Sequence, residues 1–302
     1  MKKNMKKPNL FIVGAPKCGT TSMHKYLAQH PEIFMSSFKE PHYFSPDVNF
    51  FWRLKELPEY LSLFESAGNA KYLGESSPGY IYSEVASQQI KAFSPDSKII
   101  IMLRNPPDML YSLHGEFLLW KLEDILDFSE ALAAQEERRQ GKRIPKSSKE
   151  PNLLFYFDWV KYSIQVKRYF DIFSEKNVHI ILFNELVKDT ANVYRKTLEF
   201  LEVDPNVQAE LKVRNAAKPL PNLAVRSFWC KYPYFVKILR DFFSDAWVDF
   251  ILYDIGKLTQ PQRPKNIDPE LRLRLMKQFQ PEIKELAHLL NWDEHTLQLW
   301  LQ

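Results

Sequence analysis

The sequence has little of several features that would each point to a particular class of protein. It contains two cysteines, Cys18 and Cys230, too few for a disulfide framework, and this favours a reducing compartment. No stretch reaches the roughly 20 apolar residues of a membrane-spanning helix, and no apolar signal segment follows the basic start of the chain. We therefore expect a cytoplasmic protein without a membrane span.

The sequence also has a small net charge and no cluster of metal-ligating residues. The formal net charge is +4, so nucleic acid is not demanded as a partner. No group of histidines and cysteines has the spacing of metal ligands, which predicts a protein without a bound metal. Repeats, heptads and low-complexity tracts are also missing, so residues 1–302 are expected to form a single globular domain with a flexible N-terminus at 1–8.

The stretch LFIVGAPKCGTT, from Leu10 to Thr21, predicts a ligand site. Its first four residues have the pattern of a parallel strand that is covered on both faces. Gly14 ends this strand, and the turn after it leads to hydroxyl residues that suit the start of a helix. Because backbone N–H groups and the positive end of the helix dipole converge there, we expect an anion to bind.

This loop differs from the phosphate loop of nucleotide hydrolases, G-x-x-x-x-G-K-[ST]. Gly14 and Gly19 keep the spacing, but Thr20 occupies the position of the lysine, and the lysine lies three residues upstream at Lys17. The arrangement favours a group other than a γ-phosphate. A tight connection without a ligand is the competing interpretation, but here the strand, glycines, lysine and hydroxyls coincide.

The string GAPKCGTTSMHKYL resembles the 5′-phosphosulfate-binding loop, P-K-x-G-T-T, of sulfotransferases that use 3′-phosphoadenosine-5′-phosphosulfate (PAPS), particularly those of bacterial and carbohydrate or heparan-sulfate type. The resemblance implies that Lys17 relieves charge on the leaving phosphate of the donor. The product would be 3′,5′-adenosine bisphosphate (PAP). The donor-binding residues implied in this loop are Ala15, Pro16, Lys17, Cys18, Gly19, Thr20, Thr21 and Ser22.

A second motif, IIIMLRNPPDMLYSL, resembles the 3′-phosphate-binding pair of the same family and implies this role for Arg104 and Ser112. Arg104 follows the buried strand predicted at 99–103, and ligands gather at the carboxyl ends of parallel strands. Its planar guanidinium can bond two phosphate oxygens at once. A magnesium-dependent enzyme would commonly have an aspartate at such a strand end, so arginine there favours chemistry without a metal.

The string KEPHYF resembles the K-E-x-H-x-F of carbohydrate sulfotransferases, which implies that Glu40 is the base for the acceptor. His42 is then a positioning group or the alternative base. An ordinary glutamate has a pKa of about 4.3, so burial would have to raise it, whereas histidine starts closer to neutrality at about 6.5. A salt-bridged loop without a catalytic role is the competing interpretation.

Two departures from the family concern the acceptor and the donor. Relatives with the pattern E-K-x-P-x-Y have lysine where this chain has Ser76, in ESSPGY at 75–80. A less anionic acceptor, or a basic residue from 142–149, would explain the change. The late glycine-rich donor loop of the aryl and steroid enzymes has no clear counterpart, and Arg263 and Lys265 are candidates for its role by position alone.

The remaining pattern predicts an α/β, P-loop-like three-layer fold in which helices flank a central parallel sheet. Strands are expected at 10–13, 32–36, 99–103 and 178–183, and a strand end at 72–74. Helices are expected at 59–66, 83–93, 109–117, 128–139, 191–201 and 268–290, and an aromatic-faced core helix at 155–173. Residues 140–151 are predicted to be a mobile loop, and 205–302 to be mainly helical.

The leading hypothesis is therefore in-line transfer of a sulfuryl group from PAPS to a hydroxyl or amine of a carbohydrate, lipid or small-molecule acceptor. Two alternatives remain: a nucleotide kinase with a degenerate phosphate loop, and a non-catalytic protein that binds adenosine bisphosphate. Aromatic residues at 50–52 have three possible roles, which are to stack on sugar rings, to line an apolar pocket and to form core. The oligomeric state is left open.

Overall fold

The computed structural model describes residues 6–50, 52–212 and 266–301. Its strands are β1 (Leu10–Gly14), β2 (Ile33–Met35), β3 (Tyr72–Ser76), β4 (Lys98–Leu103) and β5 (Val178–Leu182). They form one sheet in the order β2-β3-β1-β4-β5, and every neighbouring pair is parallel. The predicted α/β class with a central parallel sheet is confirmed.

Helices connect and flank these strands, and none of the described ones is long and apolar enough to cross a membrane. The helices are α1 (Thr20–Leu27), α2 (Leu57–Ser62), α3 (Ala86–Phe93), α4 (Pro106–Leu119), α5 (Phe128–Ala133), α6 (Gln135–Arg139), α7 (Tyr162–Phe173), α8 (Phe183–Lys188), α9 (Thr190–Phe200), α10 (Pro269–Leu289) and α11 (Glu294–Leu301).

The position of β1 at the middle of the sheet decides where a ligand can bind. Both β1 and β4 consist almost entirely of buried apolar residues, as expected for strands with neighbours on each side and helices over each face. The chain runs from β1 to β2 and β3 on one side and then crosses to β4 on the other. Ligands bind at the carboxyl edge where the strand order reverses in this way, and the loop after β1 lies there.

The helices expected at 59–66 and 83–93 are observed at Leu57–Ser62 and Ala86–Phe93, and two other predicted helices differ more. The helix expected at 128–139 is divided into α5 and α6. The helix expected from Phe155 begins only at Tyr162, because a 3₁₀ turn, Tyr156–Val160, precedes it. Packing fixes this turn: the indole of Trp159 stacks on Tyr82 at 4.2 Å and its Nε1 donates to the Leu153 carbonyl at 2.9 Å. The aromatic face is buried core, as predicted.

The described C-terminal part is helical, as predicted. The carboxylate of Asp268 accepts a hydrogen bond from the Leu271 N–H at 2.8 Å and so caps α10, which begins with proline. This helix packs against α4 and α7. Residues 213–265, where further helical segments were predicted, lie outside the described residues. The single-domain organisation and the mobility of 1–8 and 140–151 stay predictions.

A buried ion pair organises the polar segment between α4 and α7. The two terminal nitrogens of Arg138 donate to the two carboxylate oxygens of Glu123, each at 2.7 Å, and both side chains have no exposed surface. The Tyr156 hydroxyl also donates to this carboxylate, at 2.9 Å, and the Arg138 Nε donates to the Arg143 carbonyl at 3.1 Å. Breaking such a pair leaves an uncompensated charge inside the protein.

Replacing Arg138 by methionine should lower the free energy of unfolding by about 3–5 kcal/mol, because Glu123 would be left charged and unpaired. Adding Glu123→Gln to this variant should recover a large part of the loss, since no buried charge then remains. Urea denaturation followed by circular dichroism measures both variants. Equal losses in the single and double variants would contradict this account.

Candidate active site

The loop between β1 and α1 has the geometry of an anion cradle. Its Ala15 N–H donates to the Met102 carbonyl at 2.6 Å, which ties the loop to the central strands. Gly19 is the N-cap of α1 with φ of 87°, and an added Cβ would lie 2.9 Å from Leu186. Glycine has no side chain, and no side-chain hydrogen bond caps α1. The N–H groups of Thr20 and Thr21 precede the bond that the Ser22 N–H donates to the Gly19 carbonyl at 3.0 Å.

The predicted donor-loop residues lie together in this turn, some buried and some accessible. The thiol of Cys18 donates to the Pro16 carbonyl at 3.3 Å, and burial raises its pKa to about 12. Cys18 therefore stays a protonated packing residue. The buried members are Ala15, Cys18, Thr20 and Ser22, and the partly exposed ones are Pro16, Lys17, Gly19 and Thr21.

The side chain of Lys17 reaches α4, the helix that also contains the predicted donor-binding residue Ser112. Its Nζ lies 2.9 Å from Oε2 of Glu116 on α4. Ser112 lies one helical turn before Glu116 and shares its side of α4. Sequence reasoning missed Glu116, although the spacing of four residues from Ser112 was a signal that could have identified it.

Arg104 follows β4 directly and reaches the same loop. Its Nη1 donates to the Lys17 carbonyl at 3.4 Å, and its guanidinium lies over the ring of Phe183 at 4.7 Å. Two cationic side chains therefore stand beside the uncapped start of α1. This set of groups fits a ligand with several negative charges.

The segment from Lys39 to Phe44, here called the base loop, has an unusual backbone. Glu40 has φ of 66° and His42 has φ of 50°, and Lys17 in the phosphate loop has φ of 63°. Non-glycine residues are uncommon in this left-handed region, and they cluster at functional sites where the surroundings hold them. All three residues predicted to be catalytic share this feature.

Alternate N–H groups of the base loop are bound to the end of β3 and the turn after it. Glu40 N–H donates to the Ser76 carbonyl at 3.0 Å, and His42 N–H donates to the Ser77 hydroxyl at 3.1 Å. Phe44 N–H donates to the Tyr80 hydroxyl at 3.3 Å. Because β3 pairs with β1, these bonds hold the base loop beside the phosphate loop.

A buried carboxyl, Glu75, lies behind these hydroxyls. It accepts hydrogen bonds from Ser77 at 2.6 Å, from Tyr80 at 2.7 Å and from Tyr60 at 3.2 Å. The glutamate of ESSPGY thus anchors the base loop through Ser77 and Tyr80, a role that the sequence did not reveal. Burial raises the pKa of Glu75 to about 7, despite the hydroxyl donors.

The electrostatics of the base loop act against the raised pKa that a glutamate base would need. Burial acts to raise the pKa of Glu40, but the neighbouring His42 and the charge of Lys39 outweigh it and lower that pKa to about 2. Glu40 forms an ion pair with Lys39, and its Oε2 lies 3.7 Å from Nε2 of His42. This arrangement therefore does not meet the condition of a raised pKa. Burial lowers the pKa of His42, so its imidazole is neutral near pH 7.

Three further sequence features have different outcomes. Ser76, at the position of the relatives' lysine, is fully buried, and its hydroxyl has no hydrogen-bond partner among the described residues. Arg263 and Lys265 lie outside the described residues, so their donor role stays a prediction. Within residues 6–50, 52–212 and 266–301, no three histidine, cysteine or acidic side chains are grouped to hold a metal ion.

The sequence of this chain is similar to those of known sulfotransferases. Residues 7–231 match the family described as "Sulfotransferase domain". Carbohydrate sulfotransferase 15 of Rattus norvegicus is 24% identical over 78% of this chain and 51% of its own length. Bifunctional heparan sulfate N-deacetylase/N-sulfotransferase 4 of Mus musculus is 27% identical over 74% of this chain and 25% of its own.

Among solved structures, a sulfotransferase from Alicyclobacillus acidocaldarius is 28% identical, with a TM-score of 0.71. That similarity covers 97% of this chain and 99% of the other. The curated relatives are longer: the chain spans about half the length of the rat protein that it matches.

Glu75→Gln tests the buried carboxyl behind the base loop. Because burial raises its pKa from 4.5 to about 7, the folded protein holds this proton more tightly than the unfolded chain does. Ionising Glu75 therefore costs stability as the pH rises through this window. Relative to wild type, the variant's free energy of unfolding should rise by on the order of 3 kcal/mol between about pH 4.5 and pH 8, measured by urea denaturation.

Glu123→Gln is the matched control, because Glu123 is equally buried but titrates in the opposite direction. Burial acts to raise its pKa, and the hydrogen bonds and charge of Arg138 outweigh it and lower that pKa. Its contribution is present above the ordinary glutamate pKa and is lost only at lower pH, so this control should show no such rise. A pH-independent difference for Glu75→Gln would contradict the assignment.

Proposed function

The chain belongs to the sulfotransferase family, and we propose that it transfers a sulfuryl group from PAPS to a hydroxyl or amine group of an acceptor. The observation that carries the proposal is the meeting of Lys17, Arg104 and the uncapped start of α1 at the carboxyl edge of the sheet. Glu40 lies on the neighbouring loop, held there by β3. Anion-binding groups that follow β1 and β4, and a carboxylate on the loop after β2, thus stand at the same edge of the sheet.

Donor binding is assigned to two parts of this edge. The 5′-phosphosulfate would be held by the backbone N–H groups of the phosphate loop and by Lys17. The 3′-phosphate would be held by Arg104, whose fork matches two phosphate oxygens, together with Ser112. The donor supplies the sulfuryl group and leaves as PAP, and no metal is needed for this division of charge.

Lys17 and Glu40 divide the chemistry between them. Lys17 stabilises the charge that develops on the leaving phosphate, which requires its Nζ to exchange Glu116 for the donor. Glu40 accepts the proton of the acceptor. A carboxylate with a pKa of about 2 is a weak base, so in this proposal it first orients the acceptor hydroxyl and takes its proton late, as bond formation makes that proton acidic.

The similarity to known sulfotransferases bears on both the acceptor class and the choice between competing functions. The names of the relatives favour a carbohydrate over a lipid or another small molecule. Family membership favours sulfuryl transfer over the nucleotide-kinase alternative, which predicts transfer of label from ATP in the presence of magnesium. A protein that binds PAP tightly and sulfates no acceptor would fit the non-catalytic alternative. The cytoplasmic location stays a prediction.

Lys17→Ala should reduce kcat by roughly 100-fold, because charge stabilisation at the leaving group is lost while the backbone N–H groups still bind the donor. Transfer of labelled sulfate, read by mass shift, gives kcat, and calorimetry gives the Kd of PAP. Lys25→Ala on the exposed side of α1 is the control and should have wild-type values. Near-normal turnover in Lys17→Ala would refute the assignment.

Arg104→Ala should raise the Kd of PAP by roughly 10- to 100-fold, since a charge-assisted phosphate contact is lost. The Kd of 5′-AMP, which has no 3′-phosphate, should change far less. Calorimetric titration of both nucleotides measures the difference, with Arg195→Ala on the exposed side of α9 as the control. A similar loss for both nucleotides would show that Arg104 does not read the 3′-phosphate.

A further inference from the structure

Three aromatic side chains, Phe50, Trp52 and Trp120, lead outward from the candidate base and are called the aromatic wall. Phe50 stacks on the His42 ring with centroids 3.9 Å apart. The ring of Trp52 lies 5.6 Å from Phe50 and 5.9 Å from His42, and that of Trp120 lies 6.2 Å from Trp52. Exposure increases along the wall: Phe50 is 7% exposed and Trp120 is 51% exposed.

The other half of the candidate site leads to the same wall. Lys17 pairs with Glu116, and Trp120 follows Glu116 by one turn of α4, a rise of about 6 Å. The Trp120 N–H donates to the Glu116 carbonyl at 2.9 Å, which keeps this last turn helical. A chain of contacts therefore runs from Lys17 through Glu116 to Trp120, and from there through Trp52 to His42 and Glu40.

This chain of contacts connects Lys17 to Glu40 through the aromatic wall, so the wall lies beside both halves of the candidate site. Phe50 is core, as one of the sequence interpretations had it. Trp120 is not, because half of its surface is open to solvent beside a second indole. Single exposed apolar residues are normal on a protein surface, but two contacting indoles next to a candidate base form a surface that a ligand can cover.

The solvent exposure of the aromatic wall favours some acceptor classes over others. A lipid chain gains most from an enclosed apolar cavity that removes its whole surface from water. A half-exposed indole covers only one face of its ligand and leaves the edges in water. A pyranose ring suits this arrangement, because it has an apolar C–H face for the indole and hydroxyl groups at its edge. Those hydroxyls can donate to the carboxylates of Glu116 and Glu40.

We propose that Trp52 and Trp120 form the acceptor subsite and that a sugar ring stacks on Trp120 while one of its hydroxyls faces Glu40. This inference rests on the proposed function and adds to it the ring-shaped acceptor and the residues that select it. Glu116, released when Lys17 turns to the donor, then accepts a hydrogen bond from a second hydroxyl at the ring edge.

The test compares pyranose rings with open-chain polyols of the same sugar configuration. Acceptors are the methyl glycosides of glucose, galactose and N-acetylglucosamine, with glucitol, galactitol and N-acetylglucosaminitol as matched alditols. The other acceptor classes are represented by 4-nitrophenol and 1-octanol. Wild type should have at least tenfold higher kcat/KM for one of the glycosides than for its alditol. Trp120→Ala should reduce this preference about tenfold through KM, and Trp120→Phe should restore most of it.

A binding measurement makes the test independent of turnover. Saturation-transfer NMR on the PAP-bound protein should give signals from the protons of one sugar face with wild type and lose them with Trp120→Ala. Leu273→Ala removes an exposed apolar side chain of α10 and is the control that should keep both readouts. The aromatic ring of Trp120 is exposed, so its removal should leave the unfolding transition in place.

The possible failures are distinguishable. A preference for alditols, 4-nitrophenol or 1-octanol, or an unchanged glycoside preference in Trp120→Ala, would overturn the acceptor subsite while leaving sulfuryl transfer intact. Absence of PAP binding by wild type, or of sulfate transfer to every acceptor class, would overturn the proposed function and the subsite with it.

Discussion

Three hydroxyl groups converge on the carboxyl of Glu75, and two of those hydroxyls also accept backbone N–H groups of the base loop. These hydrogen bonds hold the base loop in a backbone conformation that is otherwise unfavourable. Glu40 and His42 have left-handed backbone angles, which residues other than glycine seldom adopt unless the surrounding structure holds them. The bonds from Ser77 and Tyr80 supply that support, and the pairing of β3 with β1 transmits it to the phosphate loop. The candidate base therefore depends on a residue that it does not touch.

Charge is balanced locally in the candidate site. Lys17 pairs with Glu116 on one side, and Lys39 pairs with Glu40 on the other. Lys17, the cation that the proposed function assigns to the leaving phosphate, thus already has a carboxylate partner with which a donor would have to compete. In that proposal a multiply charged donor wins this competition because Arg104 and the start of α1 act on it together. The same exchange would free Glu116 to face the acceptor.

Local patterns were sufficient for most elements and for the phosphate loop. The apolar runs at 10–13 and 99–103 are strands because a central parallel strand is apolar on both faces, and that is visible in the residues themselves. The cap at Asp268 was visible for the same reason. The helix start near Phe155 was predicted wrongly, because spacing alone does not show that Trp159 stacks on Tyr82, which is distant in the sequence.

Short motifs were enough to predict the sheet class, the loop between β1 and α1 and the family, since local backbone geometry requires the residue types in these motifs. Which side chains meet at the candidate site depends instead on contacts between distant segments. Glu75, Glu116 and Trp120 lie in separate segments, and their roles arise from contacts across the fold: hydroxyls from two segments, a lysine from β1's loop, and an indole beside Trp52. The pKa of Glu40 also depends on the tertiary structure. Burial raises it and neighbouring groups lower it, so the outcome depends on how close those groups lie.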